Sequence, residues 1–204
     1  MLKNNFTSIE NIINVAKKGG LFILVDDEKR ENEGDLIIST SSSNAKNINF
    51  MAKYGRGLIC LALDSVQAKR LNLSLMSPIN QSRNKTAFTI SIEAKKGITT
   101  GISAKDRAIT CNKLCTENSL YNFSMPGHMF PLRAHPEGLK ERQGHTEASI
   151  KMCELAGFKP AAVISEITSD DKNSMANKNE IKELAQKYKL KNISISQLQE
   201  YLNS

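Results

Sequence analysis

The chain has 204 residues, 40% of them apolar, and its 28 basic against 21 acidic side chains give a formal charge of +7. That length and apolar fraction exclude a disordered chain and a small disulfide-stapled scaffold, and they predict one domain over residues 1–204 with a core of its own. No apolar run approaches the ~18 residues that suggest a membrane span, and the opening MLKNNFTSIE does not read as an export signal.

In chain order, Ile9, Ile12, Ile13 and Ala16 fall at helical spacing, opened by Thr7-Ser8-Ile9-Glu10 as a capping box and closed by Gly19-Gly20. Leu21 to Val25 reads as a buried strand, residues 26–35 as an acidic loop, and Leu36 to Ile38 as a second strand. Asn44 to Tyr54 is a helix ended by Gly55, Leu58 to Leu63 a third apolar strand, and Asp64 caps a short helix. Residues 72–85 read as a loop. Phe88, Ile90 and Ile92 alternate with Thr89, Ser91 and Glu93, the period of a strand with one buried face. Glycines break the run 97–103 before a helix capped by Ser103. The second half continues with a strand near Met129 to Arg133, a loop over 134–145 and a helix over 146–156 stopped by Gly157. A strand Val163 to Ile167, an amphipathic helix through Ile181, Leu184, Ala185 and Tyr188, a short strand at Ile193 and Ile195, and a helix capped by Ser196 complete the chain. This alternation predicts a mixed α/β (α+β) domain: a three-layer sandwich, with a mixed twisted sheet covered by helices on both faces.

Cys60, Cys111, Cys115 and Cys153 form no CxxC pair, so reduced thiols in a cytoplasmic protein are expected and zinc is not. Cys60, inside an apolar strand, reads as a small hydrophobe. Lys and Arg are spread evenly along the chain with no basic run longer than two, which is no nucleic-acid footprint. The acids are uneven. Asp26, Asp27, Glu28, Glu31, Glu33 and Asp35 crowd one ten-residue window between two apolar strands. Such a run is ordinarily a solvated turn, but six carboxylates leaving the edge of a buried sheet also suit a hard divalent cation, magnesium or manganese. His145 precedes a helix in a loop that offers Arg142, the Thr146 hydroxyl and free backbone N–H groups. Those parts make either an anion cradle or an ordinary helix cap. Glu166 ends an apolar strand, where it either faces solvent or, if buried, gains a raised pKa suited to proton transfer.

Four ordered segments together resemble the 3,4-dihydroxy-2-butanone 4-phosphate synthase family of riboflavin biosynthesis. They are Asp26 to Asp35, Gly97 to Arg107, Pro126 to Arg133, and Gly144 to Ala148 with Ala156 to Pro160. The resemblance covers nearly the whole chain. It implies a carbon–carbon lyase that converts D-ribulose 5-phosphate into 3,4-dihydroxy-2-butanone 4-phosphate and formate with Mg²⁺ or Mn²⁺, two ions per site. It further implies a cytoplasmic homodimer with its sites near the subunit interface, and neither nucleic acid nor membrane as partner. Family roles map onto Glu31 and His145 as metal ligands and onto His128 and Glu166 as catalytic residues. Substrate contacts map onto Arg30, Glu31, Asp35, Arg142, Gln143, Gly144, His145, Thr146 and Glu166. Some members continue into a GTP cyclohydrolase II domain, and with the sequence ending at Ser204 the monofunctional form is expected.

Two positions and one segment depart from the family pattern. Gln143 stands where a second glycine is frequent, which implies a backbone angle there that favours glycine. Met125 stands where an arginine is common, and residues 170–179 replace a segment that usually carries a glycine and an arginine. A nucleic-acid-binding module is the rival from another class, motivated by the +7, and it leaves the acidic loop unexplained.

Overall fold

A computed structural model describes residues 7–28, 30–171 and 173–204. Helix α1 (Ile9–Lys17) buries Ile9, Ile12, Ile13 and Ala16, the spacing read from the sequence, but the Ser8 side chain makes no capping bond and the expected box is absent. Strands β1 (Phe22–Val25) and β2 (Gly34–Ser39) pair antiparallel with Val25 opposite Gly34, so the acidic segment is the connection between them. Helix α2 (Ala45–Phe50) is capped by the Asn44 side chain. It runs on through a wider turn over Met51–Gly55 and ends at Arg56 in the left-handed conformation, φ 69°, one residue past the expected glycine stop.

Strand β3 (Cys60–Leu63) leads into α3 (Ser65–Arg70), capped by Asp64, and β4 (Ile92–Ala94) into α4 (Ala104–Thr116), capped by Ser103. Strand β5 (Phe123–Arg133) is followed by α5 (His145–Leu155), β6 (Ala161–Glu166), α6 (Lys178–Tyr188), β7 (Lys191–Ser194) and α7 (Ile195–Asn203). The seven strands form one mixed sheet in the order β4-β5-β3-β6-β2-β1-β7. Only β1 with β7 and β3 with β5 are parallel; the other pairs are antiparallel.

Successive strand residues point to opposite faces, and both faces are covered. Phe22, Leu24, Ile37, Cys60, Ala62, Ala162 and Ile164 pack under α1, α5 and α7, while Ile23, Leu36, Ile38, Leu61, Leu63 and Val163 pack under α2, α4 and α6. Burial on both sides is why these strands read as unbroken apolar runs. The result is the three-layer sandwich expected from the sequence.

Three expectations need correction. The segment 88–93 is a regular strand only from Ile92, which is buried as expected with Glu93 half-buried, but over 88–91 the burial is the reverse of the apolar pattern: Thr89 and Ser91 are buried, Phe88 and Ile90 only partly so. The polar residues are satisfied where they sit. Thr89 Oγ1 donates to the Pro131 carbonyl, and Ser91 Oγ accepts from the Gly127 N–H. Strand β5 begins six residues earlier than Met129, at Phe123, despite Pro126 and Gly127. At the C-terminus Ile195 opens α7 rather than ending a strand. The cap is Ser194, in a reciprocal box with Gln197, and not Ser196.

Candidate active site

The acidic connection folds around its first residue. Asp26, 4% exposed, accepts the backbone N–H groups of Glu31 (3.2 Å) and Glu33 (2.9 Å) and the Arg30 guanidinium (2.7 Å). Asn32 takes the left-handed conformation (φ 55°) that closes the turn. Glu31 is thereby turned inward, where one carboxylate oxygen accepts from Arg30 Nη1 and the other from the Asn84 amide.

Helix α5 meets this loop end-on. His145 is its first residue and is 6% exposed, with Nδ1 at 3.6 Å from Asp35 Oδ1 and 3.9 Å from Glu31 Oε2. Ligand atoms of Asp26, Glu31 and His145 lie within 4.8 Å of one another, the one such group of His, Cys, Asp and Glu side chains among the described residues. Asp35 on β2 pairs in register with Glu166 on β6, so the two carboxylates stand side by side on the sheet. Asp35 Oδ1, Glu166 Oε2 and His145 Nε2 are buried without a hydrogen-bond partner.

The electrostatics follow from that crowding. Burial, then Glu166, Glu33, Glu31 and Asp26, push the Asp35 carboxyl well above the usual range. Burial likewise raises Glu166, and burial with Glu31 and Asp26 raises Glu33 to about 7. The same burial lowers His145 to about 4, so its imidazole is neutral and free to offer a lone pair. Protonation is how such a cluster sheds repulsion, and a divalent cation would relieve it equally well. Crowded carboxylate oxygens, two of them buried without partners, are the donors that a hard cation takes, with the neutral imidazole as an additional nitrogen donor, so the residues fit one.

Arg142 lies at the rim. Its Nη1 donates to Glu147 Oε2 at 2.6 Å, its Nη2 to Thr86 Oγ1 at 2.9 Å and its Nε to the Asn84 carbonyl at 3.4 Å. Gly144 admits the two guanidinium groups: a Cβ there would stand 2.5 Å from Arg142 Nη1 and 3.1 Å from Arg30 Nη2. Gln143 is exposed, and it is not among the non-glycine residues with positive φ, so the glycine-favouring angle implied by the resemblance is not required. Thr146 is buried in the first turn of α5.

The structure thus brings together Arg30, Glu31, Asp35, Gly144, His145, Thr146 and Glu166. His128 stands apart on β5, with β3 between it and the strand of Glu166. Its ring is oriented by Glu93, 2.6 Å from Nδ1, and its side chain is 44% exposed. The departing segment 170–179, of which Lys172 lies outside the described residues, opens with a turn held by Arg56. That side chain bonds Thr168 Oγ1, the Thr168 and Ser169 carbonyls and Asp170.

Asp26 as organiser of the loop, Asn84 on Glu31 and Glu147 on Arg142 escaped the sequence reading. Asp26 was visible only as one acid among six, and Asn84 lies in a segment with no periodicity. Glu147 at the third position of a helix reads as an ordinary favourable charge near the N-terminus.

A family model for 3,4-dihydroxy-2-butanone 4-phosphate synthase matches residues 10–201. The chain belongs to the 3,4-dihydroxy-2-butanone 4-phosphate synthase family. It is 42% identical over 196 residues to the synthase of Wigglesworthia glossinidia brevipalpis, covering 96% of this chain and 92% of that one. It is 46% identical over 199 residues to the riboflavin biosynthesis protein RibBA of Aquifex aeolicus, covering 96% of this chain and 49% of the relative, so it spans about half the length of that protein. Among solved structures, a synthase of this family in complex with two magnesium ions superimposes with a TM-score of 0.91 at 36% identity, covering 97% of both chains. Membership places the chain among enzymes of riboflavin biosynthesis. No helix of the described residues is long and apolar enough to cross a membrane.

Proposed function

We propose that this chain is a carbon–carbon lyase that converts D-ribulose 5-phosphate into 3,4-dihydroxy-2-butanone 4-phosphate and formate in the cytoplasm. The observation that carries the reading is the buried, unpartnered donor set of Asp35, His145 and Glu166 beside Glu31, at the mouth of α5. Glu31 and His145 would hold Mg²⁺ or Mn²⁺, with Asp26 within reach, and two ions per site accord with the magnesium-bound relative. A bound cation would polarise sugar oxygens and stabilise the oxyanions that develop on them.

The protein's own groups divide the remaining work. Arg30, Arg142 and the free N–H groups at the start of α5 present positive potential to a phosphate or a sugar oxygen, and Gly144, Gln143 and Thr146 shape that end of the site. Asp35, whose carboxyl is raised by burial and by Glu166, offers its unpartnered Oδ1 to the sugar. Glu166, likewise raised, can hold a proton at its unpartnered Oε2 and exchange it with the substrate. At His128, Glu93 fixes Nδ1 and leaves Nε2 to carry a proton. Glu166 and His128 are the proton carriers of this reading. We further propose that the chain works as a homodimer with its sites near the interface, as the family resemblance implies. The exposure of His128 together with exposed Leu58, Ile102 and Met125 supports that arrangement.

Glu31→Gln tests the assignment, since it keeps the shape but removes the charge that a cation requires. Formate release from D-ribulose 5-phosphate is expected to vanish while the circular dichroism spectrum stays unchanged; near-normal turnover would sink the assignment.

A further inference from the structure

The segment between α3 and β4 carries no role in the reaction outlined above, yet it touches the centre of the site. Its turn is braced from within: the Asn80 carbonyl oxygen of the side chain accepts from Ser82 N (3.0 Å) and Ser82 Oγ (2.7 Å), and its amide donates to the Thr86 carbonyl (3.0 Å). Lys85 adopts the left-handed conformation (φ 53°), which turns the chain directly after Asn84. From this braced turn the Asn84 side chain reaches Glu31 Oε1. The amide orientation is fixed by chemistry, because an ionised carboxylate only accepts.

Two further contacts hold the turn in place, and both come from Arg142: Nε to the Asn84 carbonyl and Nη2 to Thr86 Oγ1. Arg142 is itself anchored by Glu147, whose side chain is 1% exposed. The second oxygen of Glu147 accepts the His135 N–H at 3.0 Å. The buried carboxylate is therefore a fixed point in the first turn of α5, and a continuous path runs from it through Arg142 and the 84–86 turn to Glu31. Three of the five guanidinium donors are used along this path, which leaves two for a ligand.

We propose that Asn84 is the positioning residue of Glu31, and that the Glu147–Arg142 pair is the strut that holds it there. The inference rests on the reading of Glu31 as a metal ligand. Hydrogen bonds to a ligating carboxylate orient it before the cation arrives, and loss of such a partner lowers metal affinity by about 10- to 100-fold. Arg142 then serves the site in two capacities, through its remaining donors toward the substrate and through Asn84 toward the metal ligand.

The test is Mn²⁺ binding to the substrate-free protein, followed by the electron paramagnetic resonance of free Mn²⁺. Asn84→Ala is expected to weaken binding by about 10- to 100-fold with no change in the melting temperature, as the turn is on the surface. Glu147→Gln is expected to weaken it as well, and Glu147→Gln with Asn84→Ala to bind no more weakly than Asn84→Ala alone, since both act through the same contact. Should Glu147→Gln fail to fold, Thr86→Val removes an Arg142 contact without touching α5 and is expected to behave alike. Wild-type affinity in Asn84→Ala, with binding lost in Glu31→Gln, overturns the positioning role while leaving the metal site standing. Additive losses in the double variant overturn the strut. Wild-type affinity in Glu31→Gln overturns the metal reading, and the inference with it.

Discussion

Adding one methyl group at Gly144 separates what the site needs from what the fold needs. The backbone angles of Gly144, φ −110° and ψ 165°, are open to alanine, so Gly144→Ala introduces no backbone strain and acts only through its new Cβ. That atom would lie 2.5 Å from Arg142 Nη1. An ordinary contact needs roughly 3.5 Å, so the guanidinium must retreat by about 1 Å. A retreat of that size along the 2.6 Å bond to Glu147 takes it beyond the ~3.2 Å of a good hydrogen bond. The clash is with the end of a long side chain that can swing aside, and most of the charge pair survives. Stability should therefore fall by only about 1–2 kcal/mol, part of it from the poorer helix cap that alanine makes. Activity should suffer more, because a misplacement of about 1 Å at a positioned group can cost roughly 10²-fold in rate. Urea denaturation and formate release measured on the same preparation give both numbers. Turnover within about twofold of the parent would refute the claim that this close approach positions the guanidinium groups.

Gly57→Ala makes the opposite demand: its Cβ would meet the Glu166 backbone oxygen at 2.5 Å and nitrogen at 2.7 Å, atoms that cannot swing aside. A loss of about 1–3 kcal/mol or more in urea denaturation is expected, and a stability equal to the parent's would contradict the packing described. The acid cluster also dictates a pH dependence. Glu33 is raised in the folded protein to about 7 from 4.5, so its contribution is present below the unfolded value and is lost as pH rises through about 7; Asp35 and Glu166, also raised, act with the same sign. His145, lowered to about 4 from 6.5, has the opposite sign, but above pH 6.5 it is neutral in most of both states. The cation-free protein is therefore expected to lose melting temperature between pH 6.5 and 8, and added Mg²⁺ to raise it more at the upper end of that window than at the lower. A magnesium effect that shrinks with rising pH would refute the arrangement.

Much of the fold was legible because its signals are local. The strands buried on both faces read as apolar runs, and Asp64 and Ser103 cap helices where the sequence places them. Two of the misreadings come from partners far along the chain, whereas the misplaced caps at Ser8 and Ser196 are local. Thr89 and Ser91 are buried where Pro131 and Gly127 satisfy them, so the apolar alternation misassigned the buried residues over 88–91 while placing Ile92 correctly. Strand β5 reaches back to Phe123 because β4 pairs with it at Phe123, Ser124 and Met129, and an irregularity in the pairing accommodates Pro126 and Gly127 between them. In the site, the crowding of six acids in one loop foretold a charged centre. The pairing of Asp35 with Glu166 and the arrival of His145 depend on strand register and on the direction of α5, which no spacing within the loop encodes. Asn84 and Glu147 were invisible for the same reason, since each is defined only by what it touches.

The central claim is the reaction, and one assay reaches it directly. The purified protein is incubated with D-ribulose 5-phosphate and Mg²⁺, and formate is quantified enzymatically against a parallel sample containing EDTA. One formate for each sugar consumed is expected with Mg²⁺, none with EDTA, and full recovery when excess Mg²⁺ is restored. Absence of formate from folded protein with Mg²⁺ present, or release that EDTA leaves unchanged, would contradict the account.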